Sequence, residues 1–348
     1  MPSFRTVEVT KVISERPGLQ RVEVRMADGS HARAYSLTQL TGTCDVGDRI
    51  VVNTTAVGLG LGTGGWHVVH WNLTRGPWSD PGPGHLMKLR YTSLQFDAGT
   101  DELAHPEVDQ PLGGLPVAVC SVHSQVATVA AAFADAAPGR RLIFVMTDGA
   151  SLPLALSDLV AALVERDLLA GTVTAGHAFG GDLEAVTVAS ALGLAAHTLH
   201  ADAVVVGMGP GVVGTGTRLG TTGIEVAPIL DLVQSLGGRA VLCVRASDGD
   251  PRDRHRGVSH HTVTALQLTH STPLVATEPA DVASLHGVHL VPAGHGPSAK
   301  ELFERHGLHV TTMGRTVDQD PLFFAAAAAA GRLLARLVTS ADEHLDTP

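Results

Sequence analysis

The chain has 348 residues and a mass of 36.0 kDa, with 44% hydrophobic and 17% charged residues. That exceeds the roughly 250–300 residues at which single cores stop growing, so two domains are expected, and the composition excludes a disordered chain. A formal net charge of −10, from 24 basic and 34 acidic residues, argues against nucleic acid or an anionic membrane as the main partner.

Cys44, Cys120 and Cys243 are odd in number and far apart. They fit a reducing cytosol with no disulfide framework, and no CxxC pair exists for zinc or redox work. The first residues form no apolar signal core. The longest apolar run, Leu322 to Gly331, stops at Arg332, about half the length of a membrane span. A cytoplasmic protein with no membrane partner is expected.

The first 75 residues alternate. Val7, Val9 and Val12, then Val22, Val24 and Met26, are apolar positions in short runs, separated by Pro17-Gly18, Asp28-Gly29-Ser30 and Val46-Gly47-Asp48. Ile50 to Val52 and His67 to Trp71 continue the pattern. Period two with regular turns predicts a small antiparallel β-barrel or sandwich over 1–75. Gly58 to Gly65 reads as a packed glycine bend. Arg75 to Gly84, with three prolines and three glycines, opens a linker and an unassigned crossing over 76–114, in which Leu86 to Thr92 suits a strand of either domain.

From residue 115 the runs become continuously apolar: Leu115 to Val122, Leu142 to Met146, Ala203 to Val206, Ala240 to Val244 and Leu274 to Ala276. Such runs read as strands buried on both faces. Between them lie helix-length stretches: Ser124–Ala136, Leu154–Leu169, Leu183–Leu199, Ile224–Leu236, Thr262–Thr269, Lys300–His306 and Pro321–Leu337. Ala325 to Ala330 reads simply as a run of the strongest helix former in a chain biased towards Ala, Gly and Val. Six or seven strands alternating with helices predict an open, doubly wound, mostly parallel α/β sheet (Rossmann-like) over 115–348, with a closed eight-fold barrel as the alternative.

Open parallel sheets bind ligands beyond the carboxyl ends of their strands. The residues there are Ser121, His123 and Ser124; Thr147-Asp148-Gly149; Gly176-His177 through Asp182; Gly209 through Thr217; Arg245 to Asp248 and Arg252 to Arg256; and Gly294-His295-Gly296. Asp148, His177, Asp182 and His260 are the candidates for acid–base work. Gly209, Gly211 and Gly214 have G-x-G-x-x-G spacing after a strand and, with Thr215 and Thr217, suit an anion or phosphate cradle. A helix does not follow directly, and Thr215 stands where a Walker loop needs Lys, so neither a dinucleotide site nor a Walker loop is specified. A glycine-rich crossover packed for shape explains the same residues.

Arg252, Arg254 and Arg256 suit pairing with an anion ahead of a helix capped by Ser259. A divalent metal is a further expectation, from His123, His255, His261 and His295, with Asp148, His177 and Asp182 available as additional ligands. Adjacent His260 and His261 point about 100° apart on a helix, which opposes their sharing one ion. Plainer readings stand beside these. Asp248, Asp250 and Asp253 balance the arginines in a solvated cluster, Asp148-Gly149 is turn chemistry, and Asp182 and Glu184 compensate a helix dipole. Cys120 is a small hydrophobe of a buried strand.

Met146 to Pro153, Thr174 to Ala185, Gly207 through Gly223 and Arg252 to Thr262 together resemble a bacterial family catalogued as domain of unknown function number 3866, over nearly the whole chain. The resemblance implies no activity, and no catalytic residue carries over. The residues therefore suggest an enzyme acting on a small phosphorylated, nucleotide-like or carboxylated metabolite. A non-catalytic sensor module and a structural homo-oligomer are the alternatives.

Overall fold

The computed structural model describes residues 1–345 apart from Gly62, Thr63, Pro81, Pro83, His85 and Pro279. The predicted glycine bend and proline linker therefore lie partly outside the described residues. The chain divides into two compact units, Met1–Gly99 and Thr100–Pro348.

The first unit is a closed barrel of β1 (Phe4–Arg16), β2 (Leu19–Arg25), β3 (His31–Leu37), β4 (Arg49–Asn53) and β5 (Trp66–Asn72), in the order β1-β2-β3-β5-β4. Helix α1 (Thr38–Thr41) follows β3 and α2 (Thr55–Gly58) follows β4. Alternation sends Val7, Val9, Val22, Val24, Ile50 and Val52 inwards around Ala34, Cys44 and Val69. Burial pushes the Cys44 thiol up to about 11, which leaves it an inert filler. β1 pairs with both β2 and β4, and its register shifts between Val9 and Lys11 and between Val12 and Ser14. These bulges bend the long strand so that it can close the sheet. The barrel departs from the antiparallel expectation at one place, because β3 and β5 run parallel. A two-residue ribbon, β6 (Met87–Lys88) with β7 (Phe96–Asp97), completes this unit and takes up part of the unassigned Leu86 to Thr92 segment.

The second unit is an eight-stranded, wholly parallel sheet. Its elements in chain order are β8 (Pro116–Cys120), α3 (Ser124–Ala136), β9 (Leu142–Thr147), α4 (Asp158–Glu165), β10 (Gly171–Ala175), β11 (Leu183–Ala185), α5 (Val188–Gly193), β12 (Ala203–Met208), α6 (Val226–Ser235), β13 (Arg239–Cys243), α7 (His260–Leu268), β16 (Leu274–Ala276), β17 (His289–Val291), α8 (Ala299–His306) and α9 (Pro321–Leu345). A small antiparallel pair, β14 (Ala246–Ser247) and β15 (Gly257–Val258), precedes α7. The sheet order is β11-β10-β9-β12-β8-β13-β16-β17.

Both faces are covered, as the continuous apolar runs require. Ala118 and Cys120 pack with α3, α8 and α9 on one face, and Val117 and Val119 pack with α5 and α6 on the other. The alanine run has a packing role beyond helix propensity. A Cβ at Gly331 would lie 2.4 Å from the Val129 carbonyl, so small residues let α9 run hard against α3. Pro321–Ser340 has the length and apolarity of a membrane span, longer than the run broken at Arg332 suggests. However, 67% of that stretch is buried inside the unit, as in a core helix.

Two expectations fail locally. The stretch Leu183–Leu199 is not one helix: residues 183–185 form the edge strand β11, and α5 starts only after Thr187, whose side chain closes a capping box with Ser190. The stretch Leu154–Leu169 begins as a single 3₁₀ turn, and α4 starts after Ser157, which caps the Val160 N–H. In both, a hydroxyl cap inside an apolar run resets the backbone. The amides of Glu184 and Val186, on and just after the edge strand β11, donate to the carboxylates of Asp101 and Glu102. These bonds blunt the exposed edge.

Candidate functional site

The order of the strands selects where loops meet. β8 sends its crossover, α3, across one face to β9, whereas β12 sends α6 across the other face to β13. Adjacent strands whose crossovers diverge open a crevice at their carboxyl ends. β9, β12, β8 and β13 are consecutive there, and two groups of ionisable side chains occupy that edge.

The first group follows β9. Asp148 is exposed, and its Oδ2 accepts the His177 N–H at 3.0 Å, which joins the ends of β9 and β10. The loops stay paired beyond the strands through the Phe179 N–H to the Leu152 carbonyl and the Leu154 N–H to the Phe179 carbonyl. Glu225, from the turn that enters α6, reaches over the same point, and its Oε1 accepts the Thr147 hydroxyl at 2.7 Å. A Cβ at Gly149 would lie 2.4 Å from Glu225 Oε2, so Gly149 is what admits the carboxyl. Burial, with the Asp148 charge adding to it, pushes the Glu225 carboxyl up to about 7 against the opposing Thr147 hydrogen bond.

The second group follows β13. His255, His260 and His261 each place one ring nitrogen within 4.8 Å of the others. The His260 and His261 ring centroids are 4.2 Å apart. The expectation that neighbours on a helix diverge fails here, because these two are the first residues of α7. Arg245 is 6% exposed, and its guanidinium donates to His261 Nδ1 at 2.9 Å. Ser259 caps α7 through the His261 N–H and bonds His255 Nδ1 at 2.8 Å. Burial, then Arg245, lowers His255 to about 4 and His261 to about 3. Below them Asp250, 1% exposed, holds Arg252 through two bonds and Arg315 through one. Asp320, fully buried, takes Arg315 and the Ser247 hydroxyl. The predicted charge cluster is therefore half interior: Asp250 is buried, and Arg252 and Arg315 neutralise it.

The three histidines do not suit a dication. Arg245 can only donate, so His261 Nδ1 is an acceptor and its Nε2 carries the proton. A buried guanidinium beside the trio also opposes added positive charge. The other expected ligands lie elsewhere. His123 Nδ1 donates to the Met208 carbonyl at 2.9 Å, and its Nε2 accepts the Ser157 hydroxyl at 2.7 Å, so both ring nitrogens are committed. His295 is exposed beyond β17, at the far edge of the sheet.

Asp182 is not at the carboxyl edge. It accepts the Thr172 N–H and hydroxyl at 2.8 and 2.9 Å, near the amino end of β10, because the loop 176–182 runs back to start β11. The predicted cradle folds upon itself. The Thr215 N–H donates to the Gly220 carbonyl, the Thr222 N–H donates to the Val213 carbonyl, and the Gly220 N–H donates to the Thr217 hydroxyl oxygen. Gly209 is required by the Ser151 carbonyl, 2.4 Å from where its Cβ would lie. These are the marks of a crossover packed for shape. The loop does reach the basic segment, since a Cβ at Gly216 would lie 3.4 Å from Arg254, and Arg218 donates to Gln267 of α7 at 2.8 Å. Gly211 and Gly214 line the same loop, and Arg256 donates to the Asp250 carbonyl.

Thus Asp148 and the His177 amide meet at the β9 end of the edge, and His260, whose ring feels the Arg254 charge, lies at the β13 end. α7 packs against the turn that carries Glu225. The sequence placed Arg245 at this edge without giving it a role and did not single out Glu225. A separate cavity of about 790 Å³, between α7 and Ala283–Gly287, is mostly apolar and holds none of the edge's ionisable groups.

Among known proteins, the profile of a family described as "Protein of unknown function (DUF3866)" matches residues 33–331. No curated protein and no solved structure matches the chain.

Proposed function

The chain belongs to this DUF3866 family, whose description assigns no activity, and from its own residues we propose that the α/β unit is an enzyme performing acid–base chemistry on a small anionic metabolite at the carboxyl edge of the sheet. One observation carries this reading: a carboxyl group held near 7, Glu225, sits beside the exposed carboxylate Asp148 at the crevice between diverging crossovers. A general acid or base works best with its pKa near the operating pH. Glu225 exchanges the proton, and Thr147 orients it. Burial, with the Asp148 charge adding to it, keeps part of Glu225 protonated near pH 7, and Asp148, anchored by the His177 amide, is itself open to substrate. The basic cluster around Arg245 supplies the charge that an anionic substrate needs. By strand spacing it lies about 14 Å along the edge from β9, within the span of an extended metabolite.

The test is a metabolite panel incubated with the protein and followed by mass spectrometry. The wild type should consume one or more phosphorylated or carboxylated compounds, and Glu225→Gln should slow that turnover about 100-fold or more. Saturable binding with no product would overturn the enzyme reading in favour of a sensor module. Turnover untouched by Glu225→Gln would remove Glu225 from the mechanism.

A further inference from the structure

We propose that Arg245, His260, His261 and the first turn of α7 form a pocket for a phosphoryl group. The inference rests on the reading of the carboxyl edge as a ligand site, and it names the part of the ligand bound at the β13 end.

Arg245 is nearly buried, yet no carboxylate lies within 4 Å of its guanidinium among the described residues. The acids nearest in the cluster are already used: Asp250 by Arg252 and Arg315, and Asp320 by Arg315, Ser247 and two backbone amides. A buried cation without an anion is costly, and folds keep one where a ligand supplies the charge. One Arg245 donor goes to His261 Nδ1, and that bond fixes the tautomer so that His261 offers an Nε2–H. His260 Nε2 is shielded from solvent and has no hydrogen-bond partner among the described residues.

The ring nitrogens of the trio converge within 4.8 Å at the amino end of a nine-residue helix, where the helix dipole adds to the same field, although Ser259 already holds the His261 and Val263 amides. Donors from a guanidinium and imidazoles approach from several directions, with the helix dipole behind them. That suits a tetrahedral group with three terminal oxygens better than a planar carboxylate, which one bidentate arginine would satisfy.

The experiment titrates inorganic phosphate into the full chain by calorimetry and follows the histidine ring signals by NMR, with acetate and zinc as parallel ligands. Saturable phosphate binding is expected, with shifts at His260 and His261, and roughly tenfold or greater weakening in Arg245→Met and in His260→Ala. His260 is only partly buried, so its variant reports even if Arg245→Met does not fold. Absence of saturable phosphate binding by the wild type overturns the proposal, as does phosphate binding untouched by both variants. Stoichiometric zinc on the three imidazoles, or acetate binding as tight as phosphate, overturns it equally. The two readings separate cleanly: turnover of a non-phosphorylated anion with no phosphate binding sinks only the pocket, and phosphate binding without turnover of any compound sinks only the enzyme.

Discussion

Burial makes Glu225 a store of one proton at neutral pH, and that has a cost that can be measured. Its folded value near 7 lies above the ordinary 4.5, so the native state holds an extra proton between those limits. The stabilising protonation is complete below pH 4.5 and is lost as pH rises through 7. Glu225→Gln keeps an oxygen for the Thr147 hydroxyl and removes the charge. The variant should therefore be more stable than the wild type by about 3 kcal/mol at pH 8 and nearly equal to it near pH 4.5, read from urea midpoints. An equal difference at both pH values would show that packing, not ionisation, separates the two proteins. Asp148 was legible from the sequence because it directly follows a strand. Glu225 was not, because an acid entering a helix ordinarily compensates the dipole, and the glycine that admits it belongs to a different loop. Arg245 was obscured in the opposite way. The dense run Arg252 to Arg256 draws the eye, but Arg252 is spent on Asp250, and the buried cation is the isolated one.

At the scale of an element, the loop after β12 shows why glycine spacing misleads. Gly209 and Gly214 are equivalent in a phosphate fingerprint but not in the fold. A Cβ at Gly209 would drive into the Ser151 carbonyl, whereas at Gly214 the nearest atom, Thr221 Oγ1, is 3.5 Å away. Gly209→Ala should destabilise the protein by about 2 kcal/mol or more, and Gly214→Ala by under about 1 kcal/mol, compared by thermal or urea unfolding. Similar losses at both would restore a shared role as a cradle. The spacing records proximity to backbone, and a ligand is only one kind of close neighbour. β11 escaped for a related reason. Its three residues are joined to β10 by residues 176–182 alone, with no helix, so the alternation of strand and helix that reveals the other strands is missing there.

Over the whole molecule, the change from period-two runs to continuous apolar runs announced a barrel and a parallel sheet, because each pattern follows directly from how many faces are buried. Strand order was not legible, since every buried strand looks alike; the placing of β12 between β9 and β8 is what sets Asp148 and Glu225 on one crevice. Charge is also segregated. The barrel unit carries ten basic and eight acidic residues, and the α/β unit fourteen and twenty-six, so the basic pocket sits in the acidic unit. That unit should be acid-sensitive. His123, lowered to about 4 by burial, joins His255 and His261 as imidazoles that stay neutral when folded and charge near 6.5 when unfolded. Their contribution is complete above pH 6.5 and is lost as pH falls towards 4. Glu225 acts in the opposite sense between 4.5 and 7. Asp250 and Asp320, both held below the usual carboxylate range, give way only at lower pH still: Arg252 holds Asp250 down, and bonds from Ser247 and Arg315 outweigh burial at Asp320. Three imidazoles against one carboxyl leave a net uptake of about two protons on unfolding near pH 5.5, a slope of about 2–3 kcal/mol per pH unit. Urea midpoints should fall steadily from pH 7 to pH 5. A flat or rising profile would mean that these imidazoles are open to protons in the folded state.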